Sequence, residues 1–544
     1  MAPSQYPDHN PIPRVIIIAG FAAVLFKLWM IGGHDIFTKI RPHDDSLFAH
    51  LAVSLLEGEW LGEYNNKTLI KGIGYPVFMA LSFLLDIPLF TLQHLLYALA
   101  SLLLVLAIRP VTKSPWILLT GFVLLLFSPN TYTYPLMSQT MREGLYGCLI
   151  IWVFASILGM WFYRGAAFRT NLAWSLSAGI SLSWLWVTRE ESVWIIPGLL
   201  LFLAVYLYPW KPAIGPTLIQ RVGYTALPCA LLAALLLTIL NLNDRFYSAP
   251  LINELKSSQF NSALGELMRI RHEKFERHVV VSRDAQNKAF EASPSFAELR
   301  PHLDKESSMP ASFYIWSLRS AVRKAGYYDD PQDARRTLNL YARIGSELNA
   351  ACASGELDCH DRKASIRPVF HPSQRNEIVP TFLSLTAIAL TQSDFNPFSS
   401  SNESIEGIDT LLQFQILTGE DTMARHEAFQ ALLPDYHLGM LRFKETAMAL
   451  VGKLYSFVVP VLFIAALVFH LLCAIQAIRM RRGIEGILLG CVLLGSAFAL
   501  LAILTYVKIT LWPVDRPLNA VIPVLLCYIV FSLAVLSPRR ANSD

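Results

Sequence analysis

The sequence predicts an all-α polytopic membrane protein, and three observations carry this prediction. Of the 544 residues, 54% are hydrophobic and 16% are charged, whereas soluble domains average about 25% charged residues. Apolar runs of roughly 17–25 residues recur along the chain, and a helix needs this length to cross about 30 Å of hydrocarbon. More than half of the Asp, Glu, Lys and Arg residues fall between Asp244 and Glu445.

This distribution predicts a membrane block over 1–243, a soluble insertion over 244–447 and a second membrane block over 448–544. The small net charge of +4 gives no reason to expect nucleic acid as a partner. An apolar segment at 75–85 is too short to cross, and we expect a re-entrant or surface helix there. Ten membrane spans are predicted, at residues 14–33, 88–108, 115–129, 143–163, 171–188, 192–209, 223–243, 448–476, 484–507 and 517–536.

Positive charges predict the orientation of these spans. With ten spans, the basic residues of alternate loops all fall on one side, and the positive-inside rule makes that side cytoplasmic. Both termini are then cytoplasmic, and the insertion is extracytoplasmic. We expect a bacterial inner or plasma membrane. The basic residues that set this pattern are Arg109, Lys113, Arg164, Arg169, Lys211, Arg221, Arg479, Arg481, Arg482, Arg539 and Arg540.

The first outer loop, residues 34–87, carries an acidic pair. Asp44 and Asp45 come about thirty residues before the segment Lys71-Gly72-Ile73-Gly74-Tyr75-Pro76. Apolar residues at helical spacing follow the pair, so Asp45 or Ser46 could simply cap a helix at its N-terminus. A carboxylate at such a helix start, if it faces water, could instead act as a general base for an attacking hydroxyl.

Three more outer loops carry candidate charges. Arg142 and Glu143 open a span, so they either snorkel to the interface or line a polar cavity. Arg189 precedes two glutamates, and it could bind a phosphate or pair with one of them. Arg516, before the last span, and Lys71 are two further candidates for phosphate binding.

The insertion is predicted to be mainly α-helical. The apolar run at 379–391 is expected to be a buried core helix. Cys352 and Cys359 could form a local disulfide in an oxidising compartment, or remain two free thiols. No Cys or His spacing indicates a zinc site. Helical spacing of apolar residues predicts helices at 260–270, 313–325, 331–350 and 405–416.

In their order and shared sidedness, these motifs resemble the GT-C superfamily of integral-membrane glycosyltransferases. The nearest branch is the protein O-mannosyltransferase and lipid A aminoarabinose transferase group. The resemblance rests on the acidic pair, the Lys-Gly-x-Gly-Tyr-Pro motif before a short helix, and the acid of the second outer loop. It covers residues 12–208 and the surroundings of Arg516. It implies a GT-C-like helical bundle, a sugar donor carried on polyprenyl phosphate, and transfer on the extracytoplasmic face.

Carried over residue by residue, the resemblance makes Asp44 the catalytic base, with Asp45 beside it and Glu143 as the second-loop acid. Lys71, Arg189 and Arg516 would hold the donor phosphate. The residues expected to line the substrate cavity are His43, Tyr75, Arg142 and Glu190. The chain departs from the family pattern at Gly72-Ile73-Gly74, where a Pro-Pro pair is expected. The insertion matches no family domain, which leaves the acceptor open.

The expected activity is an inverting glycosyl transfer, of a hexose or a pentose, to a hydroxyl of a lipid, glycan or protein. No cofactor is predicted, although a divalent cation near the acidic residues is conceivable because hard cations favour oxygen ligands. A lipid-linked glycan polymerase or ligase is the nearest alternative. A transporter or flippase would need ionisable or broken-helix features at mid-membrane. In a non-catalytic assembly factor, Asp44 and Asp45 would be dispensable.

Overall fold

The structure is a computed structural model that describes residues 12–34, 44–112, 114–133, 139–209, 216–303, 311–330, 332–392, 408–421, 435–480, 484–511 and 516–536. These residues contain no β-strand, and most of them lie in α-helices. The prediction of an all-α protein is therefore confirmed.

Helices occur at all ten predicted spans. Those of the first membrane block are α1 (Arg14–Ile31), α2 (Asp44–Glu57), α3 (Gly74–Leu84), α4 (Leu89–Ile108), α5 (Pro115–Leu126), α6 (Arg142–Phe162), α7 (Phe168–Thr188), α8 (Ile196–Leu207) and α9 (Leu218–Tyr247). Those of the insertion are α10 (Ser258–Leu267), α11 (Arg283–Ala292), α12 (Pro294–Ala297), α13 (Arg300–Leu303), α14 (Ala311–Lys324), α15 (Arg335–Ser354), α16 (Ile378–Thr391) and α17 (Ile408–Thr418). The second membrane block contains α18 (Asp435–Met480), α19 (Ile484–Thr510) and α20 (Val521–Leu536).

Length and composition support seven of the ten spans. In the described part of the chain, the helices long and apolar enough to cross a membrane are α1, α4, α6, α9, α18, α19 and α20. A multi-pass membrane protein is thus confirmed. Helix α5 has 12 residues and is about 18 Å long, while α3 has 11 residues and is about 16 Å long. Helix α3 is therefore as short as the sequence predicts, but α5 is also shorter than the 30 Å of hydrocarbon.

Helix α6 is the centre of the bundle. In its apolar stretch 89% of the residues are buried, against 17% for α9 and 11% for α18, which lie at the periphery. Helix α6 packs against both α4 and α7. Because the outer loops at the start of α6 emerge from the middle of the bundle, charges there are surrounded by protein.

Contacts between loops show which helix ends lie together. Arg142, at the start of α6, bonds to Glu190, just after the end of α7. Lys256, which follows α9, also donates to Glu190, through the backbone oxygen. Asn130, before α6, donates to the carbonyl oxygen of Asn519, before α20. These loops therefore share one end of the bundle, and the assignment of that end to the extracytoplasmic face stays a prediction.

The insertion is joined to the first outer loop through the buried pair Arg319 and Glu254. Both side chains are fully buried. Tyr64 of the loop donates to Glu254 Oε2 at 2.9 Å, and Arg319 Nε donates to the carbonyl oxygen of Asn66 at 2.9 Å. The insertion therefore fixes the backbone of the loop only a few residues before Lys71.

Helix α16 differs from its prediction as a buried core helix of the insertion. It packs against α18 and α19 of the membrane block, and only Leu385 and Ala389 are buried. Val379 and Leu383 are 65% and 60% exposed. An apolar run of this length can cover membrane helices as well as a soluble core, and the sequence pattern does not distinguish the two.

The domain boundaries at 243 and 447 stay predictions. Helix α18 has 46 residues, so it is about 69 Å long and continues through position 447 without a break. Residues of the first outer loop, including Leu51 and Tyr64, share a core with the insertion. Packing thus connects the three predicted units.

Candidate active site

The acidic pair opens helix α2, where the N-terminal end of a helix favours negative charge. Nζ of Lys71 lies 2.9 Å from Oδ2 of Asp44, and the Asp44 side chain is 31% exposed. Asp45 is only 3% exposed, and its Oδ1 accepts the backbone N–H of Ser46. The two carboxylates therefore have different surroundings: that of Asp44 is partly open, and that of Asp45 is enclosed in the protein.

The glycines after Lys71 allow the first outer loop to lie against the end of α7. A Cβ atom at Gly72 would stand 2.1 Å from the carbonyl oxygen of Val187, and one at Gly74 would stand 2.3 Å from Oγ1 of Thr188. Such distances are impossible for any residue other than glycine without a backbone shift. Trp184 of α7 closes this contact by donating from Nε1 to the carbonyl oxygen of Gly74 at 3.0 Å.

Glu190 connects the first and second outer loops. Its Oε1 accepts the backbone N–H of Gly72 at 2.7 Å, and its Oε2 lies 2.6 Å from Nη1 of Arg142. The Arg142 side chain is 6% exposed. Arg142 therefore forms a buried ion pair, and its predicted placement, at the interface or in the lining of a polar cavity, stays a prediction. Glu190 has a structural role that the sequence did not reveal.

Arg189 is shared between two carboxylates. Its Nη1 lies 3.4 Å from Oε1 of Glu143, and its Nε lies 3.4 Å from Oε2 of Glu191. Its guanidinium also lies over the ring of Tyr146, 5.3 Å from the centroid. Strong charge-assisted hydrogen bonds measure about 2.7–2.9 Å, so Arg189 is held less tightly than Arg142. A phosphate oxygen could therefore take over one of its donors.

Tyr75 lies inside this group of charges. The residue is fully buried, with its ring 5.3 Å from that of Phe48. Its hydroxyl has no hydrogen-bond partner among the described residues. The negative charges of Glu143, Asp45 and Glu420 all act on it. Tyr75 is therefore placed to donate a hydrogen bond beside the acidic groups.

Two side chains of the insertion contact the candidate site, and neither was predicted from the sequence. Lys256 Nζ lies 2.7 Å from the backbone oxygen of Glu190. Glu420 Oε1 accepts the backbone N–H of Phe90, at the start of α4, at 2.7 Å. Burial raises the pKa of Glu420 to about 7. Both residues come from a charge-rich segment, where no pattern separates a site residue from a surface charge.

The remaining predicted residues are placed as follows. His43 and the side chain of Arg516 lie outside the described residues. Cys352 and Cys359 form a disulfide with their Cα atoms 5.6 Å apart, remote in sequence from the site loops. Within the residues that the structure describes, no three His, Cys, Asp or Glu side chains group closely enough to hold a metal ion.

Comparisons with known proteins give little further information. No protein-family model and no curated protein sequence matches this chain. Two solved structures align with 96% of the chain and with 76% of their own, and both are of ArnT from Cupriavidus metallidurans. The apo form is 11% identical with a TM-score of 0.31. The form bound to undecaprenyl phosphate is 12% identical with a TM-score of 0.27. Scores this low do not establish a common fold, so the function of this chain has to be argued from its own site.

Proposed function

We propose that this protein is a membrane glycosyltransferase that moves a sugar from a polyprenyl-phosphate donor to an acceptor hydroxyl. The observation that carries the proposal is the convergence of three loops at one end of the bundle. They bring together a partly exposed carboxylate at Asp44 and the basic side chains of Lys71, Arg142 and Arg189. A transferase of this class needs one base for the acceptor and several cations for the departing phosphate.

Asp44 is the best candidate for the base because it is the most exposed of the three predicted catalytic acids. Its side chain is 31% exposed, against 13% for Glu143, and Asp45 is buried. In the proposed step, Asp44 takes the proton of the acceptor hydroxyl while the hydroxyl oxygen forms a bond to the anomeric carbon. The bond from that carbon to the phosphate oxygen breaks, and the polyprenyl phosphate leaves with the electron pair. Attack opposite the leaving group inverts the anomeric centre.

Lys71 and Arg189 are the best candidates for binding the donor phosphate. Lys71 lies next to the proposed base, so its ammonium could bridge the carboxylate and the departing oxygen. Arg189 has two long contacts of 3.4 Å and can exchange one of them for a phosphate oxygen. Arg142 is held at 2.6 Å by Glu190, so its role is to support the loops. Arg516 remains a third phosphate candidate on sequence grounds.

We propose that the insertion binds the acceptor. A groove of about 820 Å³ runs between α10 and α15. Its lining includes Ser258, two residues after Lys256, whose ammonium contacts the site at Glu190. Polar and charged side chains dominate its lining, which suits a hydroxyl-rich acceptor such as a glycan. The other lining residues are Gln259, Ser262, Glu266, Arg269, Ala342, Gly345, Ser346, Asn349, Asp361, Arg362, Lys363 and Ala364.

The test is transfer of radiolabel in isolated membranes, from a panel of polyprenyl-phosphate hexoses and pentoses. We expect the wild type to transfer label from one of them and Asp44→Asn to lose that transfer. Asp86→Asn is the matched control, because Asp86 is exposed, lies in the same outer loop and has a positive φ that Asn tolerates. Normal transfer by a variant with both Asp44→Asn and Asp45→Asn would overturn the proposal.

A further inference from the structure

Helix α16 belongs to the insertion that the sequence predicts to be soluble, yet its composition is that of a membrane segment. It comprises Ile378–Thr391, and none of these residues is charged. The hydroxyls of Thr386 and Thr391 donate to backbone oxygens of the same helix, so they need no water. A helix that lies on a membrane surface instead carries a charged or strongly polar face. The composition of α16 therefore suits burial in hydrocarbon if the fold places it there.

The chain approaches α16 along one end of α19. Tyr506 donates from its hydroxyl to the carbonyl oxygen of Pro368 at 2.6 Å. Gln374 donates from Nε2 to the carbonyl oxygen of Ile509 at 3.0 Å. Both contacts are made by the last turn of α19, which ends at Thr510. The segment just before α16 is therefore held at that end of the spanning helix.

A ring contact farther along shows that α16 continues into the membrane beside α19. The rings of Phe382 and Phe498 lie 5.0 Å apart, and the two helices pack against each other. Helix α19 has no charged residue between Glu485 and Lys508, and this stretch of about 33 Å matches the hydrocarbon thickness. Phe498 precedes Lys508 by ten residues, so it lies about 15 Å farther into the membrane. The contact is therefore near the middle of the bilayer.

One face of α16 is exposed and apolar. Val379 and Leu383 are 65% and 60% exposed, and Ala387 is exposed as well. Because they are spaced by four residues, these side chains lie on the same side of the helix. The buried residues of α16 pack into the core of the membrane block instead. Phe498 of α19 is 61% exposed, so the exposed face of α16 continues the outer surface of a spanning helix.

The far end of α16 meets the condition for ending a helix inside a membrane. Non-helical backbone is tolerated at membrane depth only where protein or a water-filled cavity surrounds it. Gln392, which follows the helix, is 5% exposed and has a φ of 50°, so the chain leaves the helical path in a place that protein encloses. With 14 residues, α16 is about 21 Å long. This length is enough to enter the hydrocarbon and too short to cross it.

We propose that α16 is a re-entrant helix of the insertion and that its exposed face, formed by Val379, Leu383 and Ala387, binds the acyl chains of the surrounding membrane lipids. The occupant follows from the position of this face, which continues the surface of α19 near the middle of the hydrocarbon. The insertion is thus anchored in the leaflet on its own side of the membrane. This anchor does not depend on the proposed transferase activity.

The test is spin labelling of the full-length protein in lipid nanodiscs. The five free cysteines are first replaced by alanine or serine, and a nitroxide is then attached to Val379→Cys, Leu383→Cys or Ala387→Cys. Power saturation measures how readily each label meets oxygen, which concentrates in hydrocarbon, and a nickel chelate, which stays in water. We expect oxygen to reach all three labels and the chelate to reach none of them.

Two exposed positions calibrate the accessibilities. Ile464→Cys, on the spanning helix α18, is the lipid reference, and Asn339→Cys, on α15 of the insertion, is the water reference. A chelate accessibility at Leu383→Cys equal to that at Asn339→Cys would show that the face meets water. Protection of Leu383→Cys from both reagents would show that a second copy or another protein covers the face. Either result would overturn the proposal.

The depth of two labels tests whether α16 descends. Four residues of a helix rise about 6 Å, so the label at Leu383→Cys should lie up to about 6 Å deeper than the label at Val379→Cys. Equal depths would mean that α16 lies flat along the membrane surface, and would refute the re-entrant helix. Both substitutions are at exposed positions, and an unchanged Tm relative to the cysteine-free parent would verify that the labelled variants are folded.

Discussion

The ammonium of Lys71 lies 2.9 Å from the carboxylate of Asp44, across a separation of 27 residues. Helix α2 and the loop that follows it fill this interval, and the insertion holds the loop in place through Arg319. The pair is thus not a chance contact between two flexible side chains. It depends on backbone segments that are fixed from both sides.

Replacement of Lys71 by Met should lower the transfer rate by about 10²–10³-fold, because one preorganised cation beside the leaving group would be lost. Steady-state kinetics with the donor identified in the membrane assay would measure this. Lys274→Met, at an exposed position of the insertion, should leave the rate unchanged. A rate for Lys71→Met within about twofold of wild type would remove Lys71 from the proposed mechanism.

Gly72→Ala should destabilise the protein by about 1–3 kcal/mol, the usual cost of overpacking. The added methyl would meet the carbonyl oxygen of Val187, so the loop with Lys71 must move away from α7. The Tm and the transfer activity should both fall. Gly223→Ala is the control, because nothing lies within 4 Å of a Cβ atom there, and its stability should be equal to or above that of wild type.

Arg319→Met should lower the free energy of unfolding by about 3–5 kcal/mol, because it leaves the buried carboxylate of Glu254 without its ion pair. Chemical unfolding of the insertion would report the loss. The exposed pair of Arg335 and Asp333 provides the contrast, and Arg335→Met should lower the free energy of unfolding far less than Arg319→Met does, because solvent screens an exposed ion pair. Similar losses in the two variants would contradict the structural role assigned to Arg319.

The contribution of Glu420 to stability should fall as the pH rises from about 5 to about 8, and Glu420→Gln should remove this contribution. The pKa of Glu420 is about 7 in the folded protein, above that of a free glutamate, so the folded state binds more protons in this range. Stability then decreases with increasing pH. Thermal unfolding across the range would measure the slope, and an identical slope in wild type and Glu420→Gln would show that Glu420 does not contribute.

The side of the membrane can be tested with a cysteine at Asn65, in the first outer loop. We expect Asn65→Cys to react in intact cells with a thiol reagent that does not cross the membrane. The wild type, whose five free cysteines lie within predicted spans, is the background control. Reaction only after the cells are opened would reverse the predicted orientation.

Much of the bundle could be predicted because span length and loop charge are properties of the sequence itself. The ten apolar runs coincide with helices, and the loops of Asp44, Arg142 and Arg189 meet at one end as the basic residues indicated. What could not be predicted depends on tertiary contacts. Glu190 was predicted only to line the substrate cavity, yet it connects two loops.

The contact between Arg319 and Asn66 also sets an order of events during biosynthesis. The two residues are 253 positions apart, and at about 5–20 residues per second the ribosome needs about 10–50 s to make this interval. For that time the first outer loop lacks the partner that fixes it. The end of the molecule that carries the candidate active site therefore matures late, after the first membrane block is made, and a nascent chain stalled before Arg319 would leave this loop without its partner and open to proteases and chaperones.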